Sequence, residues 1–197
     1  MLPAEELAAV ITAVCFAAGL NVYATGAALG LLARAQLVVL PEPVMALADG
    51  WVIGACVALF AVEFVADKTP GVDLVWNLLH SVVRVPAGAL LAWSVATPLS
   101  PTGQALAALG GALVSLAALG GKLALRTAVT PSPEPFSNIG LSLVEDIVAI
   151  GLVWFATQYP FAAAGIVVVL LVMVVAAIRF VVRALRRSFR RGRGRAR

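Results

Sequence analysis

The segment of residues 161–178 constrains the fold more than any other part of the sequence, because it is uncharged and rich in large apolar side chains. As an α-helix its 18 residues would extend about 27 Å, which matches a membrane hydrocarbon core of about 30 Å. Over the whole chain, 62% of residues are hydrophobic and 12% are charged, whereas soluble domains have about 45–50% and 25%. The sequence therefore predicts an integral membrane protein.

The apolar segments predict an all-α membrane bundle of about six transmembrane helices in one domain, residues 1–182. The six predicted spans cover residues 7–33, 51–66, 85–96, 103–119, 138–157 and 161–178. Residues 72–83 have the pattern of an amphipathic helix, which we expect on the cytoplasmic side between the second and third spans. This helix is either separate from the third span or continuous with it. Residues 183–197 form a basic tail that we expect to be cytoplasmic and disordered.

The first span, residues 7–33, is too long to be straight, since 27 residues make a helix of about 40 Å. We expect it to tilt strongly or to break near Gly19 and Asn21, with Asn21 and Thr25 on one face. A broken helix offers backbone groups to an ion or an anionic group. The alternatives are close packing through its glycines, with Asn21 bonded to a neighbouring helix, or a re-entrant hairpin.

The C-terminal segment sets the expected orientation. From Arg179 onwards there are nine arginines and no acidic residue, and positive charge next to a membrane span favours the cytoplasmic side. We expect a multi-pass protein of the plasma (inner) membrane with its C-terminus in the cytoplasm. The arginine tail is expected to bind anionic lipids, and no nucleic acid is expected as a partner.

Polar residues are concentrated in residues 63–84, between the second and third predicted spans. Two acids, Glu63 and Asp67, are one helical turn apart at the end of the second span. Four further polar residues, from Asp73 to Arg84, follow a Thr-Pro-Gly turn and fall within about 60° of one helix face. These polar residues are Glu63, Asp67, Asp73, Asn77, His80 and Arg84.

Three motifs resemble those of one family. The first is E-F-V-A-D-K-x-P-x-V-D-x-x-W, and the second is P-A-G-A-L-L-A, which follows it after a His and an Arg. The third is the N-terminal segment G-L-N-V-Y-A-T-G-A-A-L-G-L-L. Together they resemble the bacterial membrane proteins grouped as the domain of unknown function 4126 family, over most of the chain up to about Trp154. The resemblance implies a polytopic membrane protein and implies no settled activity, substrate or catalytic residue.

A second polar feature is the acid pair Glu145 and Asp146 inside the fifth predicted span. An acid at the bilayer centre costs about 2.5–3.5 kcal/mol, and intramembrane acids usually belong to functional sites. The alternative is a structural ion pair or hydrogen bond to Arg84, Lys122 or Arg126.

The acids of residues 63–84 are open to two interpretations. Glu63, Asp67 and Asp73, with His80 as a fourth ligand, are weak candidates for a site binding a hard cation such as Mg²⁺. The alternative is a set of salt bridges that joins Glu63 to Arg84 and Asp67 to Lys68, with Asp73 capping its helix. No other cofactor is expected.

The function favoured by the sequence is a transporter or channel for an ion or a small polar or anionic solute. A scaffold that binds lipid or partner proteins is the alternative, and a lipid-modifying enzyme is a third hypothesis, although no hydrolase, zinc-peptidase or P-loop motif is present. The glycine-rich faces also predict a homo-oligomer. The candidate binding residues are Asn21, Thr25, Glu63, Asp67, Asp73, Asn77, His80, Arg84, Glu145 and Asp146.

Overall fold

The computed structural model describes residues 3–69, 72–129 and 135–195, and these ranges contain helices and no strands. The predicted all-α fold class is confirmed. The elements in chain order are α1 (Ala4–Leu20), α2 (Val22–Arg34), a 3₁₀ helix (Glu42–Ala48), α3 (Gly50–Ala66), α4 (Val72–Val95), α5 (Pro101–Val129), α6 (Pro135–Gln158) and α7 (Pro160–Arg195).

Four of these helices are long and apolar enough to cross a membrane, over Val75–Val95, Pro101–Thr127, Ile139–Gln158 and Pro160–Phe180. The 3₁₀ helix and α3 add a fifth crossing if the pair, which is bent by 70°, counts as one span. The described residues thus give four or five candidate spans, and the predicted number of six is not reached. The difference lies in the first predicted span, because α1 has 17 residues and α2 has 13, and a spanning helix needs about 20.

Helix α1 lies at the centre of the bundle and packs against α4, α5, α6 and α7. Every residue from Ala13 to Leu20 is buried. Most of these side chains are small, so the surrounding helices approach closely. Since lipid tails are as apolar as the core, such close van der Waals packing is a main source of helix association in membranes.

Close packing joins α1, α4 and α5 at glycines. The Cys15 thiol on α1 donates to the Gly88 carbonyl on α4 at 3.1 Å. A Cβ atom at Gly111 on α5 would lie 2.7 Å from the same carbonyl oxygen. On the next turn, Ser115 Oγ donates to the Arg84 carbonyl at 3.0 Å. Small side chains therefore set the distance between these three helices.

Asn21 separates α1 from α2 with an extended backbone (φ −152°, ψ 103°). Its side-chain Oδ1 accepts a hydrogen bond from the Ala24 amide at 2.9 Å and so caps the N-terminus of α2. In an uninterrupted helix that amide would donate to the Leu20 carbonyl. How α1 and α2 lie relative to a membrane stays a prediction.

Helix α4 joins the predicted amphipathic helix at residues 72–83 to the third predicted span, which is the continuous alternative. The structure has one helix over Val72–Val95, with Pro86 inside it. Pro86 supplies no amide donor, but neighbouring helices often stabilise a proline within a membrane helix. Here the Ser115 bond to Arg84 O and the contact at Gly88 hold α4 against α5.

Helices α5 and α7 are longer than predicted. The fourth predicted span ends at residue 119, whereas α5 continues to Val129 and includes Lys122 and Arg126. The predicted disordered tail begins at residue 183, whereas α7 is helical through Arg195. Arginine, which favours helices, is the commonest residue in this part of α7.

The glycine contacts lead to a paired test on α5. We expect Gly111→Ala to destabilise the protein by about 1–3 kcal/mol, because the new methyl group overpacks the contact with α4. Gly110→Ala is the matched control, since a Cβ there meets no atom within 4 Å. Its stability should be unchanged or slightly higher. Thermal unfolding in detergent measures both, and equal losses would contradict the packing argument.

Candidate functional site

A cluster of seven charged side chains lies at the C-terminal end of α1, and each is at most 6% exposed. Helices α3, α4, α5 and α6, with the turn after α3, all contribute to it. We call this cluster the charge network. Its members are Glu63, Asp67, Arg84, Lys122, Arg126, Glu145 and Asp146.

Arg84 on α4 connects two of the acids. Its Nη2 donates to Glu63 Oε1 at 2.5 Å, and its Nη1 donates to Asn77 Oδ1 at 2.7 Å. The Asn77 amide in turn donates to Asp67 Oδ1 at 3.0 Å. The predicted Glu63–Arg84 ion pair is thus confirmed, and Asn77 orients one carboxylate while it accepts from the guanidinium.

Lys122 on α5 lies at the centre of the charge network. Its Nζ is 2.6 Å from Asp67 Oδ2, 3.5 Å from Glu63 Oε1 and 3.5 Å from Glu145 Oε2. It also donates to the Leu20 carbonyl at 3.2 Å. That carbonyl lies at the C-terminal end of α1, where the helix dipole favours a positive charge.

Arg126, one helical turn after Lys122, links the turn after α3 to α6. Its Nη2 lies 2.8 Å from Glu145 Oε2 and 3.1 Å from Asp67 Oδ2, and its Nη1 donates to the Asp67 carbonyl at 2.8 Å. The predicted pairing of Asp67 with Lys68 is wrong, because Asp67 pairs with Lys122 and Arg126. The Lys68 ammonium donates to the Phe64 carbonyl at 3.1 Å.

Asp67 follows α3 and lies outside the membrane-length helices. Burial raises the pKa of its carboxyl group, but the positive charges of Lys122 and Arg126 outweigh burial and lower this pKa below its ordinary value. Asp67 is therefore held in its ionised, paired form.

Asp146 differs from the other acids because its partner is neutral. The Asn21 amide donates to Asp146 Oδ1 at 3.0 Å, and Asp146 Oδ2 has no hydrogen-bond partner in the described protein. Thr25 Oγ1 donates to the Asn21 carbonyl at 2.8 Å. The charge network thus has four acids and three bases, and Asp146 is the acid without a cationic partner among the described residues.

Further buried oxygen atoms lack hydrogen-bond partners in the described part of the chain. Unpaired buried acceptors cost free energy, so each is a place where a proton or another ligand would stabilise the protein. Besides Asp146 Oδ2, these atoms are Glu63 Oε2, Glu145 Oε1 and Ser142 Oγ.

Two predicted candidates are not placed in the charge network. His80 stacks on Trp76 with 4.2 Å between ring centroids, its Nδ1 lies 2.9 Å from the Trp76 carbonyl oxygen, and its ring edge meets Tyr23. It lies about 60° around α4 from Asn77, because three residues rotate a helix by 300°. The side chain of Asp73 lies outside the description.

Lys122 and Arg126 were not among the predicted binding residues and were considered only as alternative partners of Glu145 and Asp146. Their four-residue spacing within a glycine- and alanine-rich segment is the signal that places both on one face of a helix. Ser142 on α6 was not among the predicted site residues, and it is fully buried.

The predicted metal site has no support among the described side chains. No group of three or more His, Cys, Asp or Glu residues in that part of the chain is arranged to hold a metal ion. Basic groups lie between the acids instead, with Lys122 bridging Asp67, Glu63 and Glu145.

A helical bundle with several membrane-length apolar helices and a buried charge network defines a polytopic helical membrane protein. The chain belongs to the family described as Domain of unknown function (DUF4126), whose family model matches residues 8–180. The resemblance in the sequence motifs is therefore confirmed. Neither the curated proteins nor the solved structures gave a match.

The unequal pairing of the acids leads to a test in which acids are replaced by amides. We expect Glu63→Gln to destabilise the protein by about 3–5 kcal/mol, because it breaks a buried ion pair. Asp146→Asn removes a charge that has no cationic partner and keeps an oxygen for Asn21, so its stability should stay within about 1 kcal/mol of the wild type. Thermal unfolding in detergent compares the two, and an equally large loss for Asp146→Asn would show that its charge is paired.

Proposed function

We propose that the protein is a small membrane transporter or channel for an ion or a small polar or anionic solute, and that the charge network is its coupling or binding centre. The observation that carries this proposal is the surplus acid Asp146, held by Asn21 between α1 and α2. An ionised carboxylate buried without a contacting counter-ion among the described residues is costly, so uptake of a proton or a cation by Asp146 would stabilise the protein. Reversible uptake of that kind couples ion movement to conformation.

Stability alone does not require the charge network. Replacement of a buried ion pair by apolar side chains is often neutral or stabilising. The network joins α3, α4, α5 and α6 to the end of α1 through shared contacts. Proton or cation uptake at one acid would therefore change the balance of charge around the neighbouring helices.

The interruption at Asn21 adds a second argument. We propose that α1 and α2 form one interrupted crossing, as in transporters whose broken helices present backbone groups at a binding site. The Leu20 carbonyl, which accepts from Lys122, is such a group. Thr25 steadies the break through its bond to the Asn21 carbonyl.

A scaffold is the second candidate function, and the extent of pairing favours it. Glu63, Asp67 and Glu145 all have cationic partners within 3.1 Å, as a purely structural network requires. In this case the apolar groove between α6 and α7, about 390 Å³ in volume and lined by Gly151, Phe155 and Ile166, offers a surface to lipid or to a second copy.

Flux measurements in proteoliposomes, with a pH-sensitive dye and a panel of cations, test transport. We expect Asp146→Asn to lose ion-coupled flux at unchanged thermal stability, because the group that takes up the proton or cation is gone. Glu63→Gln and Glu145→Gln should also lose flux, and Glu42→Gln, at an exposed acid, is the matched control. Absence of flux for every ion in the wild type, with loss of stability in the Glu63 and Glu145 variants, would favour the scaffold.

The orientation proposed for the chain is a cytoplasmic C-terminus in the plasma (inner) membrane, with the arginines after residue 178 near anionic lipids. Green fluorescent protein fused after Arg197 should fluoresce in cells, because it folds in the cytoplasm. The same fusion after Tyr159, before α7 crosses the membrane, should stay dark. A reversed pattern would contradict the proposed orientation.

A further inference from the structure

The Lys122 ammonium is surrounded in the way a bound cation would be. Four oxygen atoms from separate parts of the fold lie around its Nζ, at 2.6 Å (Asp67 Oδ2), 3.2 Å (Leu20 O), 3.5 Å (Glu63 Oε1) and 3.5 Å (Glu145 Oε2). We call these four oxygens the oxygen cage. The ammonium reaches it at the end of a flexible side chain from α5.

With Lys122 in place the acids of the oxygen cage are not arranged to hold a metal ion. We propose that the cage becomes a binding site for a monovalent cation of the size of ammonium or K⁺ when the Lys122 side chain leaves, so that Lys122 is a tethered occupant that competes with this cation. The inference deepens the function proposed above, and it rests on that function for its physiological role. Because one cage holds one cation, binding requires the Lys122 side chain to leave.

The backbone oxygen of the cage is released by the break after α1. In a continuous helix the Leu20 carbonyl would accept from the Ala24 amide. That amide donates instead to Asn21 Oδ1 at 2.9 Å. The Asn21 side chain therefore replaces one helix bond and leaves a carbonyl at the negative end of α1 free to bind a cation.

Two cage carboxylates have capacity that the described protein does not use. Glu63 Oε2 and Glu145 Oε1 are buried and have no hydrogen-bond partner there, although the other oxygen of each carboxylate belongs to the cage. These residues are 0% and 6% exposed. These two oxygen atoms are therefore available as further ligands when a cation replaces the Lys122 ammonium.

Charge balance selects a monovalent cation. The cage includes the acids Glu63, Asp67 and Glu145, and Arg84 and Arg126 stay paired with them when Lys122 leaves. With Asp146 protonated, the described acids and arginines of the cage carry three negative and two positive charges, and one further positive charge balances them. A divalent ion would leave an excess of positive charge in a buried site.

Size also argues against Mg²⁺ and for a larger ion. Mg²⁺ binds oxygen at about 2.0–2.1 Å in near-octahedral geometry. The four distances from Lys122 Nζ begin at 2.6 Å and extend to 3.5 Å, so the cage would have to contract strongly. Ammonium and K⁺ are similar in size and need the smallest change.

The test removes the tethered ammonium in two ways. Lys122→Ala vacates the cage, and Lys122→Met fills the space with an uncharged chain of similar length. Lys68→Ala is the matched control, because it removes a nearby ammonium that bonds to the Phe64 carbonyl and not to the cage. Each purified protein is unfolded thermally in potassium, ammonium, sodium, lithium or choline chloride at equal ionic strength.

We expect Lys122→Ala to gain about 5 °C or more in unfolding temperature in potassium or ammonium chloride relative to choline chloride. Lithium should give less, and Lys122→Met, Lys68→Ala and the wild type should not respond. If Lys122→Ala is too unstable in choline chloride, extraction in potassium chloride should restore a monodisperse protein. Failure in every salt, or equal responses of Lys122→Ala and Lys122→Met, would overturn the proposal.

The readout is cation binding and does not depend on flux. A cation response without any flux would retain the cage and remove the transport hypothesis. Flux in the wild type without a cation response of Lys122→Ala would retain transport and remove this site.

Discussion

The pairing of buried charges is the physical constraint on which the rest of this structure depends. Seven charged side chains lie inside a largely apolar bundle, and each needs an opposite charge or a hydrogen bond to be tolerated there. Lys122 contacts acids from α3, the following turn and α6, so these elements are fixed relative to α5. The charge network therefore sets the rotation and height of several helices, which apolar packing alone specifies poorly.

The break at Asn21 couples the charge network to the backbone. Its side-chain oxygen accepts a hydrogen bond from the Ala24 amide, and its side-chain nitrogen donates one to Asp146. One residue thereby caps α2, releases the Leu20 carbonyl to Lys122 and holds the surplus acid. A change in the charge of Asp146 would act directly on the conformation at the junction of α1 and α2.

Hydropathy and charge spacing predicted the all-α class, the last two spans and the Glu63–Arg84 pair, because each follows from local pattern. They did not predict the helical positions of Lys122 and Arg126, because a predicted span made only of uncharged residues ends before the first basic residue. These bases are compatible with a buried helix because acids distant in sequence, Asp67 and Glu145, lie against them. The stripe that included His80 was likewise only partly right, because tertiary contacts with Trp76 and Tyr23 determine which side the imidazole faces.

The enclosed position of α1 has a consequence for biosynthesis. Helix α1 packs against α4, α5, α6 and α7, which follow it in the chain and are therefore synthesised after it. With 17 residues it is short for a stable span of its own. During translation the alanine-rich faces of α1 and the Leu20 carbonyl lack their final partners, so the bundle closes around α1 only after α7 has been made.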